Sequence, residues 1–496
     1  MKTPVIVGIS QLKQGKDVPD PDAPIELIER ACRSALSDAG PERLWSLIDT
    51  LYMTNTAGWP YRDAPARLCE LLDIRPARTT YPFIGGDYPQ KFINMGAKQI
   101  TRGDCDVILF AGGEAEYAIR RAGKGLVELQ LPPQEEPEKY DGGRNISTSD
   151  FENDYNLLFP IGLYVFFETV LKEISGRSWD EHNQYIGTIL ERYSKVSSKN
   201  SNAWTQIAYS CEEIITPAEN NRYLCYPYTL RMMANRLVDM SAAIVMTSTE
   251  TATKLGVERE KWIYPMGGAD LENIYYATQR PELHTSPAAY YGSRLALEQA
   301  GLSLNEIDIF DIYSCFPSMI QIFLNEIGLG MDDPRGLTIT GGLPYFGAPI
   351  SNYSMHAIVT AVERIREKPS TKAFVAALGG INTKPSFCIY GDEPSDRLWG
   401  ERDDSGIQED ILSVALPEPV KEASGNFRIE AYAIHFDRSG SPELGTVTGM
   451  LDSGVRTLAH IDAGPDELED VKDKNMVGQN VEVKYNPDKA KNFVKL

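Results

Sequence analysis

Nothing in the 496-residue sequence approaches the roughly 18 uninterrupted apolar residues that a membrane-crossing helix needs. The opening stretch MKTPVIVGISQLKQG holds an apolar run of only about five residues, too short for a secretory signal core, so a cytoplasmic protein without a membrane span is expected. Cysteine pairing is missing too. The seven cysteines (32, 69, 105, 211, 225, 315 and 388) are odd in number, scattered, and free of any CxxC pair. That suggests neither a disulfide framework nor a zinc site, and buried free thiols are expected. Basic charge is scarce: 49 Lys and Arg stand against 70 Asp and Glu, a net charge of −21. Such a balance argues against a nucleic-acid partner and leaves room for an anionic small molecule on a local basic patch.

What is present is the composition of an ordinary globular protein, 24% charged and 42% hydrophobic, with enough chain for two to four domains. Short apolar strands alternate with amphipathic helices from the start. PVIVGIS (4–10) is a buried-strand run, and Ile25, Ile28, Ala31, Cys32, Ala35 and Leu36 recur at helical spacing until Gly40. LIDTLYMT, TTYPFIGG and CDVILFAGGE predict further strands, with helices at RDAPARLCELL and ending near Gly103. This β-α order implies a sheet covered by helices on both faces.

A second copy of the pattern lies downstream. Arg33, Ala35, Leu36, Ala39 and Gly40 correspond at one constant offset to Arg294, Ala296, Leu297, Ala300 and Gly301. SLIDTLYMT then pairs with EIDIFDIYS, and VILFAGGEA with FVAALGGIN, each of the last two ending in Gly-Gly. Three matches in the same order indicate duplicated α/β halves. Residues 115–235 change character. LPPQEEPEKYDGG is a proline-rich acidic loop, LYVFFETVLKEI and WDEHNQYIGTILERYSKV are helices, and SAAIVMTS (241–248) returns as a buried strand. The expected domains are therefore a first half at 1–114 and 236–255, an inserted loop subdomain at 115–235, and a second half at 256–391. A polar linker at 392–409 precedes a small C-terminal β-barrel, OB-like, at 410–496, where short strands alternate with turns such as DRSGSP and DSGV.

These features resemble the thiolase superfamily over roughly residues 3 to 391. DIYSCFPS (311–318) is similar to the His-Asp-Cys-Phe segment of sterol-carrier-type thiolases, and the C-terminal region is similar to the extra domain of type 1 thiolase-like proteins. The resemblance implies two βαβαβαββ halves in α-β-α-β-α layers, a helical loop subdomain, and a site between the halves for CoA or acyl-CoA as substrate or ligand, with no tightly bound cofactor. It also implies a nucleophilic cysteine at a helix start, a Gly-His-Pro turn and a second cysteine at a glycine-rich strand end.

The chain departs at each of these places. The nucleophile aligns with Gly86, or with Asp87 after a one-residue shift, and the Gly-His-Pro turn becomes Gly347-Ala348-Pro349 inside GGLPYFGAPIS. The second cysteine falls near Leu378-Gly379-Gly380, and Tyr313 stands where the sterol-carrier type has histidine. Catalytic candidates are Tyr313, His356, Asp87 and Cys315; Gly86, Gly341, Gly342, Ala348, Gly379 and Gly380 are expected to line the substrate. Lys384 is expected on the solvent side and Asp87 as a helix N-cap. Three functions follow from the resemblance: a formally acyltransferase-like protein for acyl-CoA thioesters, a tyrosine-dependent retro-aldolase acting on β-hydroxyacyl-CoA with the barrel as fused partner, and a noncatalytic CoA or lipid binder. A homodimer through the first half's sheet edge and a monomer both stay open.

Overall fold

A computed structural model describes residues 1–496. Strand Val107–Ala115 is buried at every position, as is Asp239–Ser248, because helices cover both faces of the sheet they share. That first sheet has five strands in the order Pro4–Lys13, Asp239–Ser248, Val107–Ala115, Ile48–Met53 and Arg78–Thr80. The strand that re-enters after the insertion thus lies inside the sheet, between Pro4–Lys13 and the central Val107–Ala115, antiparallel to both. The second sheet runs Tyr264–Asp270, Lys384–Gly391, Ala373–Gly379 and Ile309–Ile312.

Helices Tyr88–Arg102 and Tyr353–Glu367 fill the layer between the sheets. Phe92, Ile93 and Ala97 of the first and Ile358 and Val362 of the second share one apolar cluster with Ile108, Phe110 and Met246. Helices Pro24–Ala39 and Pro287–Ala300 cover the outer faces, which completes five layers. Both middle helices therefore begin near the seam between the halves, where a thiolase-type site would lie.

One expected strand shrinks, and the two halves differ there. Of TTYPFIGG only Thr79 and Thr80 join the sheet, within strand Arg78–Thr80; Pro82 removes a backbone donor and makes only an isolated bridge to Asp141 before the chain turns through Gly85 and Gly86. The second half has no counterpart of this strand at all. Its backbone at 338–340 is diverted by Asp311, whose buried Oδ2 accepts from Ile339 N at 3.1 Å and Thr340 N at 3.2 Å. A carboxylate has taken the donors a strand ladder would use.

The insertion contains helices Ile161–Ser175 and Trp179–Ser197, the second started by a Ser178–Glu181 capping box. The C-terminal strands close into a five-stranded barrel: Ser424–Phe436 pairs with both Pro442–Leu451 and Asn480–Asn486, and Arg456–Ile461 and Lys491–Val494 complete the ring. A hairpin from the insertion, Tyr223–Tyr226 with Tyr228–Thr229, extends this sheet. The barrel is also locked to the second half by Arg456, buried, which binds Glu430 at 2.7 Å and the carbonyls of Ala277 and Thr278 at 3.3 Å each. Helix Ser405–Ser413 runs through the end of the segment read as a linker.

Candidate functional site

Three chain ends meet between the halves: the start of helix Tyr88–Arg102, the end of strand Ala373–Gly379, and Tyr313 just beyond strand Ile309–Ile312. Their closeness is recorded by the glycines. A Cβ on Gly86 would overlap the Tyr313 hydroxyl and lie 2.7 Å from Leu378 O, while a Cβ on Gly379 would overlap Asp87 Oδ1. The space of a side chain at the aligned nucleophile position is thus held by a tyrosine hydroxyl. The space of a side chain at 379 is held by a carboxylate.

The loop that carries Gly86 is pinned to the second half. Gly85 N donates to Ser351 Oγ at 3.1 Å, and Ser354 Oγ donates to Gly86 O at 2.7 Å. GGLPYFGAPIS, buried through Pro349, forms the other wall. Leu343 N donates to Ser314 Oγ at 3.1 Å, and Ala348 N donates to Asn235 O at 2.9 Å. Gly347 at φ 121° adopts a backbone that side chains resist, so this turn keeps its shape with alanine in the histidine position. Gly380 O accepts from Tyr164 Oη at 3.1 Å, and a Cβ on Gly380 would overlap Ser147 Oγ, which brings the insertion over the strand end.

Asp87 stands at the helix start, but it does not cap the helix. Its side chain makes no capping hydrogen bond, its backbone is helical, and buried Oδ1 has no hydrogen-bond partner. Burial pushes its carboxyl above the usual range, against the pull of Lys384 and Lys91. Lys384, expected on solvent, is only 5% exposed and places Nζ 4.0 Å from Asp87 Oδ1. The reason is register: Lys384 pairs with Gly379 in the hairpin, and its stem runs beside that glycine, where no side chain blocks it. Both groups open into a polar cavity of about 200 Å³ with Lys91, Asp270, Ser386 and Gln408. Gln408, from helix Ser405–Ser413, lines its outer wall and exchanges hydrogen bonds of 2.7 and 2.8 Å with the Glu272 backbone.

The other candidates separate. Burial pushes the Tyr313 hydroxyl well above its ordinary range, so it stays protonated at neutral pH and can donate a hydrogen bond. Cys315 is buried and pushed up to about 12, and each of the six other thiols is raised as well, chiefly by burial. No thiolate nucleophile is prepared. His356 does not join the Asp87–Tyr313 pair. It faces Gln11 Oε1 at 3.2 Å and packs on Phe346, and burial lowers it to about 3, leaving a neutral ring whose Nε2 is unpartnered. Lys91 and Asp270 were not singled out by the sequence, and Lys384 was placed on the wrong side, because a strand buried at every position gives no alternation to show which way Lys384 points.

Restoring cysteine at the aligned position is expected to fail. Gly86→Cys should destabilise the protein by about 1–3 kcal/mol from overpacking against Tyr313 and a fixed carbonyl. Incubation with acetyl-CoA followed by intact-mass measurement should show no acetyl adduct on the variant. A stable adduct at residue 86 would contradict this geometry.

The layered halves and this cleft define a protein of the thiolase superfamily, and the chain belongs to that superfamily. More particularly, residues 406–488 match the family described as thiolase-like protein type 1 additional C-terminal domain. Among solved structures, a monomeric SCP2-thiolase-like protein type 1 from Mycobacterium smegmatis aligns with a TM-score of 0.84 and 29% identity, over 99% of this chain and 98% of that one. An Ltp2-ChsH2(DUF35) aldolase shares the fold, with a TM-score of 0.59 and 17% identity over 78% of this chain and 97% of that one. The acetyl-CoA acetyltransferase of Syntrophomonas wolfei is 27% identical over 154 residues, 30% of this chain. That match spans 36% of the relative's length.

Proposed function

We propose that the protein binds acyl-CoA thioesters in the thiolase-type cleft without forming an acyl-enzyme. The observation that carries this reading is the replacement of side-chain space at residues 86 and 379 by Tyr313 Oη and Asp87 Oδ1, within a cleft whose glycine turns are retained. The raised thiols support the same conclusion, since acyl transfer through cysteine needs a thiolate. Calorimetric titration with acetyl-CoA is expected to show saturable binding, and intact mass afterwards no covalent acetyl group. A stable acetyl adduct on the wild-type protein, or no binding at millimolar acetyl-CoA, would reject the reading.

A second reading is favoured by one feature, the Tyr313 hydroxyl held in the nucleophile's space. A tyrosine donor there suits an enolate oxygen, as in retro-aldol cleavage of a β-hydroxyacyl-CoA. The C-terminal barrel, tied to the second half through Arg456, would act as a fused structural partner. Tyr313→Phe leaving turnover of such a substrate unchanged, or wild type showing none, would remove this second reading.

A further inference from the structure

We infer that Asp87 and Tyr313 form an acid–base pair that exchanges the α-proton of a bound acyl-CoA thioester with solvent, and that the polar cavity beside Lys384 is the proton's exit. The inference rests on thioester binding in the cleft and assigns that site an activity. Two side chains occupy the spaces vacated at 86 and 379, and they differ in kind: one is a protonated hydroxyl and the other a carboxylate. Asp87 is 1% exposed, yet Oδ1 lacks any hydrogen-bond donor, an expensive state for a buried oxygen unless a proton or ligand reaches it.

The cavity supplies the route. At about 200 Å³ it has room for several waters, and it is lined by groups that can hold them: Lys91, Asp270, Lys384, Ser386 and Gln408. Ser386 Oγ donates to Asp270 Oδ1 at 2.6 Å and Asn94 Nδ2 to the same oxygen at 2.9 Å, so this wall is ordered. Neither lysine has a carboxylate within normal hydrogen-bond distance; Lys384 approaches Asp87 only to 4.0 Å.

The step balances without any co-reactant. Asp87 takes a proton from the carbon next to the thioester carbonyl, so a C–H bond breaks and an O–H bond forms. The electron pair moves onto the carbonyl oxygen, where the Tyr313 O–H donates a hydrogen bond. Asp87 then passes its proton to cavity water and receives another, and the enolate is reprotonated at carbon. In heavy water the product is the same thioester carrying deuterium. Lys384 is a positioning residue, since its charge favours the ionised form of Asp87.

The test follows the acetyl methyl signal of acetyl-CoA by proton NMR in heavy water, with binding measured in parallel by calorimetry and folding by circular dichroism. Wild type should exchange the methyl protons well above the buffer rate. Asp87→Asn and Tyr313→Phe should each slow exchange by about 10²-fold or more while still binding acetyl-CoA. The charged and titratable groups facing Asp87 are Lys384, Lys91, Asp270, Tyr88, Tyr275 and Tyr313. Lys384 lowers the Asp87 pKa, so Lys384→Met should move the acid limb of the exchange profile to higher pH, a change that a packing role alone would not produce. Acetyl-CoA bound by wild type but exchanged no faster than in buffer, or Asp87→Asn exchanging at the wild-type rate, overturns the inference and leaves the binding reading intact. No binding of acetyl-CoA overturns both.

Discussion

Replacing Asp311 by alanine is expected to lower the unfolding free energy by at least about 3 kcal/mol, read as a shift of the urea midpoint at unchanged slope. This buried carboxylate gathers the loop ahead of GGLPYFGAPIS. Its Oδ2 accepts from Thr338 Oγ1 at 2.9 Å, Ile339 N at 3.1 Å, Thr340 N at 3.2 Å and Thr340 Oγ1 at 3.0 Å, and Oδ1 accepts from Tyr353 Oη at 2.8 Å. Alanine would leave these donors buried and unpaired, each unsatisfied group costing about 1–3 kcal/mol before relaxation. Asp311→Asn keeps one carbonyl acceptor and should lose less. Because Tyr353 and the Gly341 turn both hang on this side chain, the acetyl-CoA binding proposed for the cleft should weaken along with stability. A midpoint within error of wild type would show that the loop holds its shape without the carboxylate.

A loss of about 3–5 kcal/mol is also expected for Glu168→Ala. Glu168 is fully buried in helix Ile161–Ser175 and is surrounded by donors: His182 Nε2 at 2.5 Å, Gln321 Nε2 at 2.6 Å and Tyr228 Oη at 2.6 Å. Ser318 joins through Tyr228 at 2.9 Å, which ties the insertion to helix Pro317–Ile327 of the second half. Removing the carboxylate strands three polar groups in a dry interior, whereas Glu168→Gln retains an acceptor and should lose markedly less. The same helix carries Tyr164, which holds the Gly380 carbonyl, so the lid over the site should loosen along with the fold. Amide exchange at residues 378–384 would report this, and unchanged protection there in Glu168→Ala would separate the network from the site.

Much of this architecture was legible in the residues because burial writes a pattern. Strands covered on both faces become unbroken apolar runs such as VILFAGG, and helices that cover them repeat every three to four residues, as from Ile25 to Leu36. The departures from the thiolase motifs were legible as well, since they are a matter of residue identity: Gly86 or Asp87, Ala348, and Leu378-Gly379-Gly380 stand where the resemblance calls for cysteine, histidine and cysteine. The helical insertion is equally plain, its two long helices marked by apolar residues at helical spacing in LYVFFETVLKEI and WDEHNQYIGTILERYSKV.

Other features depended on partners far away in the chain. Whether Lys384 met water or Asp87 was decided by a hairpin register and by a helix start nearly 300 residues earlier. The amides of Ile339 and Thr340 bond to the Asp311 carboxylate, a partner nearly 30 residues earlier in the chain. His356 looked available beside the altered turn, yet packing against Phe346 and Gln11 left it neutral and apart. By itself the sequence determined the duplicated α/β halves, the insertion, the C-terminal strands and the residue types at the aligned thiolase positions, because each is set by local periodicity or residue type. Only the tertiary structure decided that Tyr313 and Asp87 fill the two vacated side-chain spaces, because that requires three chain ends, distant in sequence, to be packed within contact of one another.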